Sequence, residues 1–128
     1  SKGECDCSFR AGESGFVRII DEKTLACPEY RGNGVMASLG NILQNQNIGM
    51  IFIDFFESTV GLHVNGKAEV VSNESIIEKK KLYQGLKDDV GIIGGRKAEC
   101  WIIIKVEEAY IHCSKHIPLL KKLEKNIL

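Results

Sequence analysis

The chain lacks the features that mark several large classes of protein. Lys and Arg together number 17, as do Asp and Glu, so there is no excess of positive charge for a broad nucleic-acid-binding face. The longest apolar runs, at residues 48–53 and 101–104, fall well short of the roughly 20 residues that cross a bilayer. The GxGxxG and P-loop motifs of nucleotide-binding folds are also missing. We therefore expect neither a nucleic-acid partner nor a membrane span, whereas a local anion site is still allowed.

Cysteine is present in an odd number, five, which does not suit a framework of disulfide pairs. A chain of 128 residues can bury a core without such crosslinks, so we expect a reduced, cytoplasmic setting. Metal binding would need Cys5 and Cys7, or Cys113 and His116 beside His112, but the C-x-C spacing is unusual for structural zinc. We therefore predict no metal site. None of the three histidines lies in a nucleophile motif, so no catalytic residue is assigned.

What the chain does contain is a series of short strand patterns. Alternating or wholly apolar stretches predict strands, and apolar residues at a period of 3.6 predict helices. The strands are expected at residues 5–10, 15–20, 24–27, 48–55, 60–71 and 100–111, and the helices at residues 34–46, 73–88 and 114–125. Consecutive strands with hairpin-length links favour a single mainly-β domain over residues 1–128, with an antiparallel sheet that closes into a barrel and helices packed outside.

Three details of this pattern lead to further expectations. The turn at residues 1–4 precedes a strand pattern but has no strand before it, so we expect that an N-terminal strand is missing. Pro28 is expected to end the third strand, because proline has no N–H for the ladder. Gly40 in the first helix costs about 1 kcal/mol relative to alanine, and close approach of another backbone would explain that cost.

The start of the first helix is the best candidate for a binding site. The stretch YRGNGVMASLGNI, residues 30–42, places a positive charge and bare backbone there. Unpaired N–H groups and the helix dipole favour an anion, and Arg31 can grip a phosphate with two parallel hydrogen bonds. Gly32 and Gly34 would let such a ligand come close to the backbone.

Other polar residues admit both a functional and a structural interpretation. Ser38 and Asn41 share the polar face of the first turns and could donate to the same anion, but Asn33 could equally be the N-cap of an ordinary tight turn. Arg18, in the middle of a strand, could contact a phosphate or flavin, although an outward side chain reaching solvent is favoured. His63 on a polar strand face is interpreted as an exposed surface residue.

The order of several segments resembles that of a known protein family. The segments are DCSFR, GFVRIIDEKTLACPEYRGNGVMASLGNILQNQNIGMIFIDF and LHVNGKAEVV, within residues 5–71, followed later by IIIKVEEAYIHC. This arrangement is similar to the pyridoxamine 5′-phosphate oxidase-like family of FMN-binding split barrels. The resemblance implies an antiparallel six-stranded split β-barrel with peripheral helices, and a homodimer that binds FMN at its interface.

The resemblance also implies which residues contact the cofactor. It puts the FMN phosphate against the loop and helix that follow the third strand, where Arg31, Asn33 and Ser38 lie. Arg18 matches a basic strand residue near the cofactor, and Tyr30 borders the ring system. The predicted cofactor-binding residues are therefore Arg18, Tyr30, Arg31, Gly32, Asn33, Ser38 and Asn41.

The chain departs from the vitamin B6 oxidases at their phosphate and substrate motifs. It has Gly32, Asn33 and Gly34 where they carry a Ser-Arg-Lys cluster, and their C-terminal substrate-binding Arg and His have no counterpart. We therefore expect a flavin-dependent oxidoreductase that acts on an unidentified small molecule other than pyridoxamine phosphate. The alternative is a non-catalytic module that binds or stores a flavin, F420 or haem.

Overall fold

A computed structural model describes residues 5–30, 36–79, 92–93 and 96–125, with the backbone alone at Tyr30 and at residues 36–38, 77–79, 92–93 and 96–97. Its strands are β1 (Arg18–Asp21), β2 (Thr24–Tyr30), β3 (Asn47–Ile53), β4 (Gly61–Ser72), β5 (Ile92–Ile93) and β6 (Arg96–His112). Its helices are α1 (Met36–Gln44) and α2 (Asn73–Lys79), and a short 3-10 turn follows at Ser114–His116. Neither helix of the described segments has the length and apolarity to cross a membrane.

The strands form one antiparallel sheet. Its order is β1-β2-β6-β4-β3, and the short β5 pairs with the beginning of β6. Within the described residues no pairing joins the edge strands β1 and β3, so these strands leave the sheet open. The expected mainly-β antiparallel architecture is confirmed, whereas the described strands do not close into the expected six-stranded barrel.

β6 is the centre of the sheet, because β2 and β4 pair with its two edges. Its residues 101–104 are all buried, so successive side chains must be covered on both faces of the sheet. Ile76 of α2 covers one face, and Ile42 of α1 covers the other. The first cluster comprises Ile20, Ala26, Val71, Ile76, Ala98, Trp101 and Ile103, and the second comprises Cys27, Ile42, Ala68, Ile102 and Ile104.

β2 continues through Pro28 to Tyr30, so the expectation that the proline ends the strand is wrong. β1 pairs with β2 only as far as Ala26, which leaves one edge of β2 without a described strand partner at Pro28. On an unpaired edge, a missing N–H breaks no ladder hydrogen bond, so proline is tolerated there.

The ends of the described chain are less regular than the sequence predicts. Residues 5–10, predicted as a strand, have no regular secondary structure, and the predicted helix at residues 114–125 is replaced by the 3-10 turn and an irregular segment. Pro118 lacks the N–H that a continuing helix needs. The N–H of Leu120 instead donates to the carbonyl oxygen of Phe55 at 2.7 Å, which ties this segment to the loop after β3.

Close backbone approach occurs at Gly66, and the described residues show none at Gly40. A Cβ atom on Gly66 would lie 2.1 Å from the carbonyl oxygen of Lys105, at the bulge where β4 and β6 change register. Apart from its chain neighbours and the backbone of its own helix, no described atom lies within 4 Å of the same position on Gly40, so the described residues do not show the contact expected there. The glycine that the fold requires is therefore the one in the strand.

Candidate functional site

The structure describes only part of the predicted cofactor pocket. Arg31, Gly32 and Asn33 lie outside the described residues, and Tyr30 and Ser38 are described by their backbone alone. Contacts of these residues with a phosphate or a ring system therefore stay predictions.

The two remaining predicted residues, Arg18 and Asn41, lie on opposite faces of the sheet. Arg18 pairs with Ala26 of the first cluster, and paired residues share a face, whereas Asn41 lies in α1, which covers the second cluster. The side-chain amide of Asn41 donates to the carboxylate of Asp6 at 2.6 Å. The amide of Asn41, which the sequence predicts to bind a phosphate, thus donates to a carboxylate of the chain itself.

A histidine–tyrosine cluster lies at the other end of the sheet, on strands β4 and β6. His63 is paired with Tyr110, and Gly61 is paired with His112, so the three rings share one face. The Nδ1 atom of His63 lies 2.9 Å from Nε2 of His112 and 3.0 Å from the hydroxyl of Tyr110. The rings of His63 and Tyr110 are stacked, with centroids 4.8 Å apart. These contacts fix the position of the His63 imidazole.

The other ring nitrogen of His63, Nε2, is open. Among the described residues nothing forms a hydrogen bond with it, and it lies 4.0 Å from the position that a Cβ atom would take on Gly49. The same position lies 3.1 Å from Oδ1 of Asn65, so the side chain of Asn65 borders the space beside this nitrogen. When Nδ1 carries the proton and donates to His112 or Tyr110, Nε2 presents a lone pair, as a metal-ligating histidine does.

The surroundings of the cluster are apolar and exposed. Ile51 pairs with His63 and Ile53 pairs with Gly61, so both isoleucines extend the face of the cluster. Ile51 is 57% exposed and Tyr110 is 44% exposed. We call this face, formed by Ile51, Ile53, His63, Tyr110 and His112, the histidine face. Contiguous exposed apolar surface beside polar groups is typical of a binding surface.

A polar cleft of about 340 Å³ lies beside Gly49, the residue next to Nε2 of His63. It is lined by Asn47, Ile48, Gly49, Asn65, Gly66 and Glu107. The side-chain amide of Asn65 donates to Glu108 at 2.5 Å, and Nζ of Lys67 contacts the side-chain oxygen of Asn47. Gly49 thus lies beside both the cleft and the open imidazole nitrogen, and the cleft is bordered by polar and charged side chains.

The loop between β3 and β4 is held by Asp54, at the same end of the sheet. Its carboxylate accepts from the backbone N–H groups of Phe56, Glu57 and Ser58, at 2.9, 3.2 and 2.9 Å. These hydrogen bonds, the one from Ser58 first, lower the pKa of Asp54 from its ordinary value. Thr59 follows with a φ of 52°, in the left-handed region, which turns the chain into β4. The loop beside the cluster is thus held in one conformation.

A second polar cluster lies at the covered end of the sheet. Nη1 of Arg10 contacts Oε2 of Glu29 at 2.5 Å, and Glu29 is only 2% exposed. Burial raises the pKa of Glu29, and the Arg10 guanidinium opposes that shift. Burial raises the pKa of Cys27 to about 12 and also raises the pKa of Cys100. Neither thiol is ionised near neutral pH, so this end does not offer a thiolate nucleophile.

Sequence reasoning did not identify the histidine face. The strand pattern predicts His63 only as an exposed surface residue, and the sequence offers His112 only as a metal ligand beside Cys113 and His116. The two histidines are 49 residues apart, and they meet because the register of β4 and β6 sets them one pair apart on the same face. The alternation of each strand gives a face to each histidine, but it does not give the register that brings them together.

Comparisons with known proteins support the fold. No family model matches the chain, and no curated protein matches it. Among solved structures, the chain is similar to HupZ of Group A Streptococcus, determined at 1.98 Å as a tagged histidine-to-alanine variant. The TM-score is 0.54 and the identity is 26%, over 76% of this chain and 73% of HupZ. The fold is therefore an antiparallel β architecture of the split-barrel type.

Proposed function

We propose that this chain is a haem-binding protein of the split-barrel type, in which Nε2 of His63 would ligate the haem iron. The observation that carries the proposal is the open Nε2 atom on a fixed imidazole within an exposed apolar face. Imidazole is a common axial ligand of haem iron in proteins.

The residues of the histidine face fit a haem. Among the described residues, no group of three or more His, Cys, Asp or Glu side chains is arranged to hold a bare metal ion. A haem needs no such group, because the porphyrin supplies four nitrogen ligands and the protein adds only the axial ones. Ile51, Ile53 and the ring of Tyr110 offer apolar surface to a macrocycle, and Gly49 adds no side chain beside the ligating nitrogen.

His112 and Tyr110 would act as positioning residues. Either can accept a hydrogen bond from Nδ1–H of His63, which selects the tautomer with a lone pair on Nε2 and fixes the plane of the ring. Such a partner also raises the basicity of the ligating nitrogen. Bound haem would supply one-electron or dioxygen chemistry, while the chain supplies binding, orientation and an apolar environment.

A second copy of the chain is part of this proposal. The reverse side of the same end exposes Leu62 and Ile111, and the nearby C-terminal segment exposes Leu119, Leu120 and Leu123. Apolar surface of this extent at one end is typical of an interface between subunits. A homodimer would bury these side chains, and sedimentation as a monomer at micromolar concentration would contradict it.

The flavin-dependent oxidoreductase predicted from the sequence depends on residues 31–33, which lie outside the described residues. Asn41, one of the predicted cofactor-binding residues, already donates to Asp6. FMN binding is therefore the alternative outcome of the experiment, and the histidine face carries the main proposal.

The test is a pair of titrations of the purified protein, one with haemin and one with FMN, followed by absorbance. We expect saturable haemin binding with a shifted Soret band at one haem per chain, and loss of that complex in His63→Ala. His116→Ala is the matched control, because His116 lies in the exposed 3-10 turn and outside the cluster. Equal haemin binding by His63→Ala, or saturable binding of FMN alone, would overturn the proposal.

A further inference from the structure

A pair of lysines lies on the same face of the sheet as His63. Lys67 of β4 is paired directly with Lys105 of β6, so the two side chains share a face. Like charges that face each other across a strand pair destabilise the sheet. Two carboxylates lie on the same face, since Glu69 is two residues further along β4 and Glu108 is paired with Asn65, so they balance the charge of the two ammonium groups.

The two lysines have different surroundings. Nζ of Lys105 donates to Thr24 of β2 at 3.1 Å, which turns this side chain away from β3. Lys67 is exposed, contacts the neutral side-chain oxygen of Asn47 on β3, and forms no ion pair with any carboxylate that the structure describes. Lys67 is therefore the cation that is directed toward the polar cleft.

The distance between Lys67 and His63 suits one extended ligand. Alternate residues of a strand share a face, so His63, Asn65 and Lys67 follow one another on the same side of β4. Four residues of strand correspond to about 13 Å between the backbones of His63 and Lys67. The cleft beside Asn47, Gly49 and Asn65 lies between them. Glu107 borders the same cleft and would repel a carboxylate from its own side.

We propose that Lys67 binds a carboxylate at the edge of the ligand whose centre is held by His63, namely a propionate of haem. This inference rests on the proposed haem site and adds an anchor to it. An exposed ion pair is worth up to about 1 kcal/mol, which corresponds to roughly a fivefold change in affinity. Lys67 therefore orients an asymmetric porphyrin more than it determines whether the porphyrin binds.

The experiment compares haemin with its dimethyl ester, in which both carboxylates are neutral. We expect Lys67→Ala to weaken haemin binding about three- to fivefold and to leave binding of the dimethyl ester unchanged. Lys67→Arg should bind haemin as the unsubstituted protein does. Lys23→Ala is the matched control, because this exposed lysine lies at the β1–β2 turn, which β6 separates from β4.

The outcomes separate this inference from the proposed function. Equal effects of Lys67→Ala on haemin and on its ester, or no effect on either, would overturn the role of Lys67 while leaving the role of His63 intact. Failure of the unsubstituted protein to bind haemin, or haemin binding that does not depend on His63, would overturn both. High salt should lower the affinity of the unsubstituted protein for haemin toward that of Lys67→Ala, since salt screens exposed ion pairs.

Discussion

The two ends of the β4–β6 strand pair have opposite environments although they belong to the same two strands. At one end Val71 and Trp101 are paired and fully covered, and Trp101 is 0% exposed. At the other end Leu62 and Ile111 are paired, and Ile111 is 71% exposed. The covered end is closed by both helices and supplies stability, whereas the open end keeps a pre-positioned histidine on an uncovered face. The difference separates the residues that fold the chain from those that we propose bind a ligand.

Truncation of one large side chain at each end should show this difference most strongly. Trp101→Ala should lower the free energy of unfolding by about 3–5 kcal/mol, because it removes a fully buried side chain. Ile111→Ala should change it by no more than about 0.5 kcal/mol in the monomer, because its side chain is exposed. Urea denaturation at low protein concentration measures both. Similar losses in the two variants would contradict the distinction between the ends.

The bulge between the two ends should tolerate no side chain at Gly66. Gly66→Ala should cost about 3 kcal/mol, since the added Cβ would lie 2.1 Å from a backbone oxygen that cannot move without disrupting the ladder. Gly40→Ala is the control, and it should stabilise the protein by up to about 1 kcal/mol, because it adds a better helix former in open space. Unfolding curves that coincide for the two variants would show that the strands do not approach as described.

Removal of a positioning residue at the open end should affect binding and not folding. His112→Ala should weaken haemin binding by about tenfold, or roughly 1.4 kcal/mol, because His63 loses a partner that fixes its tautomer. The free energy of unfolding should stay within about 0.5 kcal/mol, as is usual for exposed side chains. A haemin titration and a urea curve on the same sample measure the two effects. A large loss of stability with unchanged affinity would assign His112 a structural role.

The contributions of Glu29, at the covered end, and of Asp54, at the open end, to the free energy of unfolding should change with pH in opposite directions. Burial raises the pKa of Glu29 above its ordinary value of 4.5, so the stability it contributes is present below pH 4.5 and is lost as pH rises through the raised value. Hydrogen bonds lower the pKa of Asp54 below 3.8, so its contribution is present above that pH and is lost as pH falls. Unfolding of Glu29→Gln and Asp54→Asn, each compared with the unsubstituted protein between about pH 3 and pH 7, tests both signs. If the differences in free energy of unfolding for the two variants change with pH in the same direction, the environments described for Glu29 and Asp54 are wrong.

Much of the fold could be predicted because periodicity is a local property. The alternation from Leu62 to Val70 predicted β4, the apolar run at 101–104 predicted a strand covered on both faces, and the pattern at 34–46 predicted α1. The C-terminal helix was wrongly predicted because the competing interaction is tertiary. The Leu120 N–H finds the carbonyl of Phe55, and the sequence pattern near Pro118 gives no sign of this pairing.

The candidate site was harder to predict than the fold because it depends on register. His63 and His112 each look like single surface residues, and only the pairing of β4 with β6 makes them neighbours. The same limit applies to Gly66, which resembles an ordinary strand glycine until the bulge brings the Lys105 carbonyl against it. Asn41 shows the opposite case. The sequence predicts that its amide donates to a phosphate, but in the structure it donates to Asp6, from a distant part of the chain.

Chemical rescue of the axial position tests the central claim most directly. His63→Gly should bind haemin weakly and with an altered Soret band, because it lacks the imidazole that we propose ligates the iron. Added free imidazole should restore the spectrum of the unsubstituted complex, and His116→Gly should need no rescue. If the His63→Gly complex already has the unsubstituted spectrum without imidazole, the iron is held elsewhere and the histidine face is not the haem site.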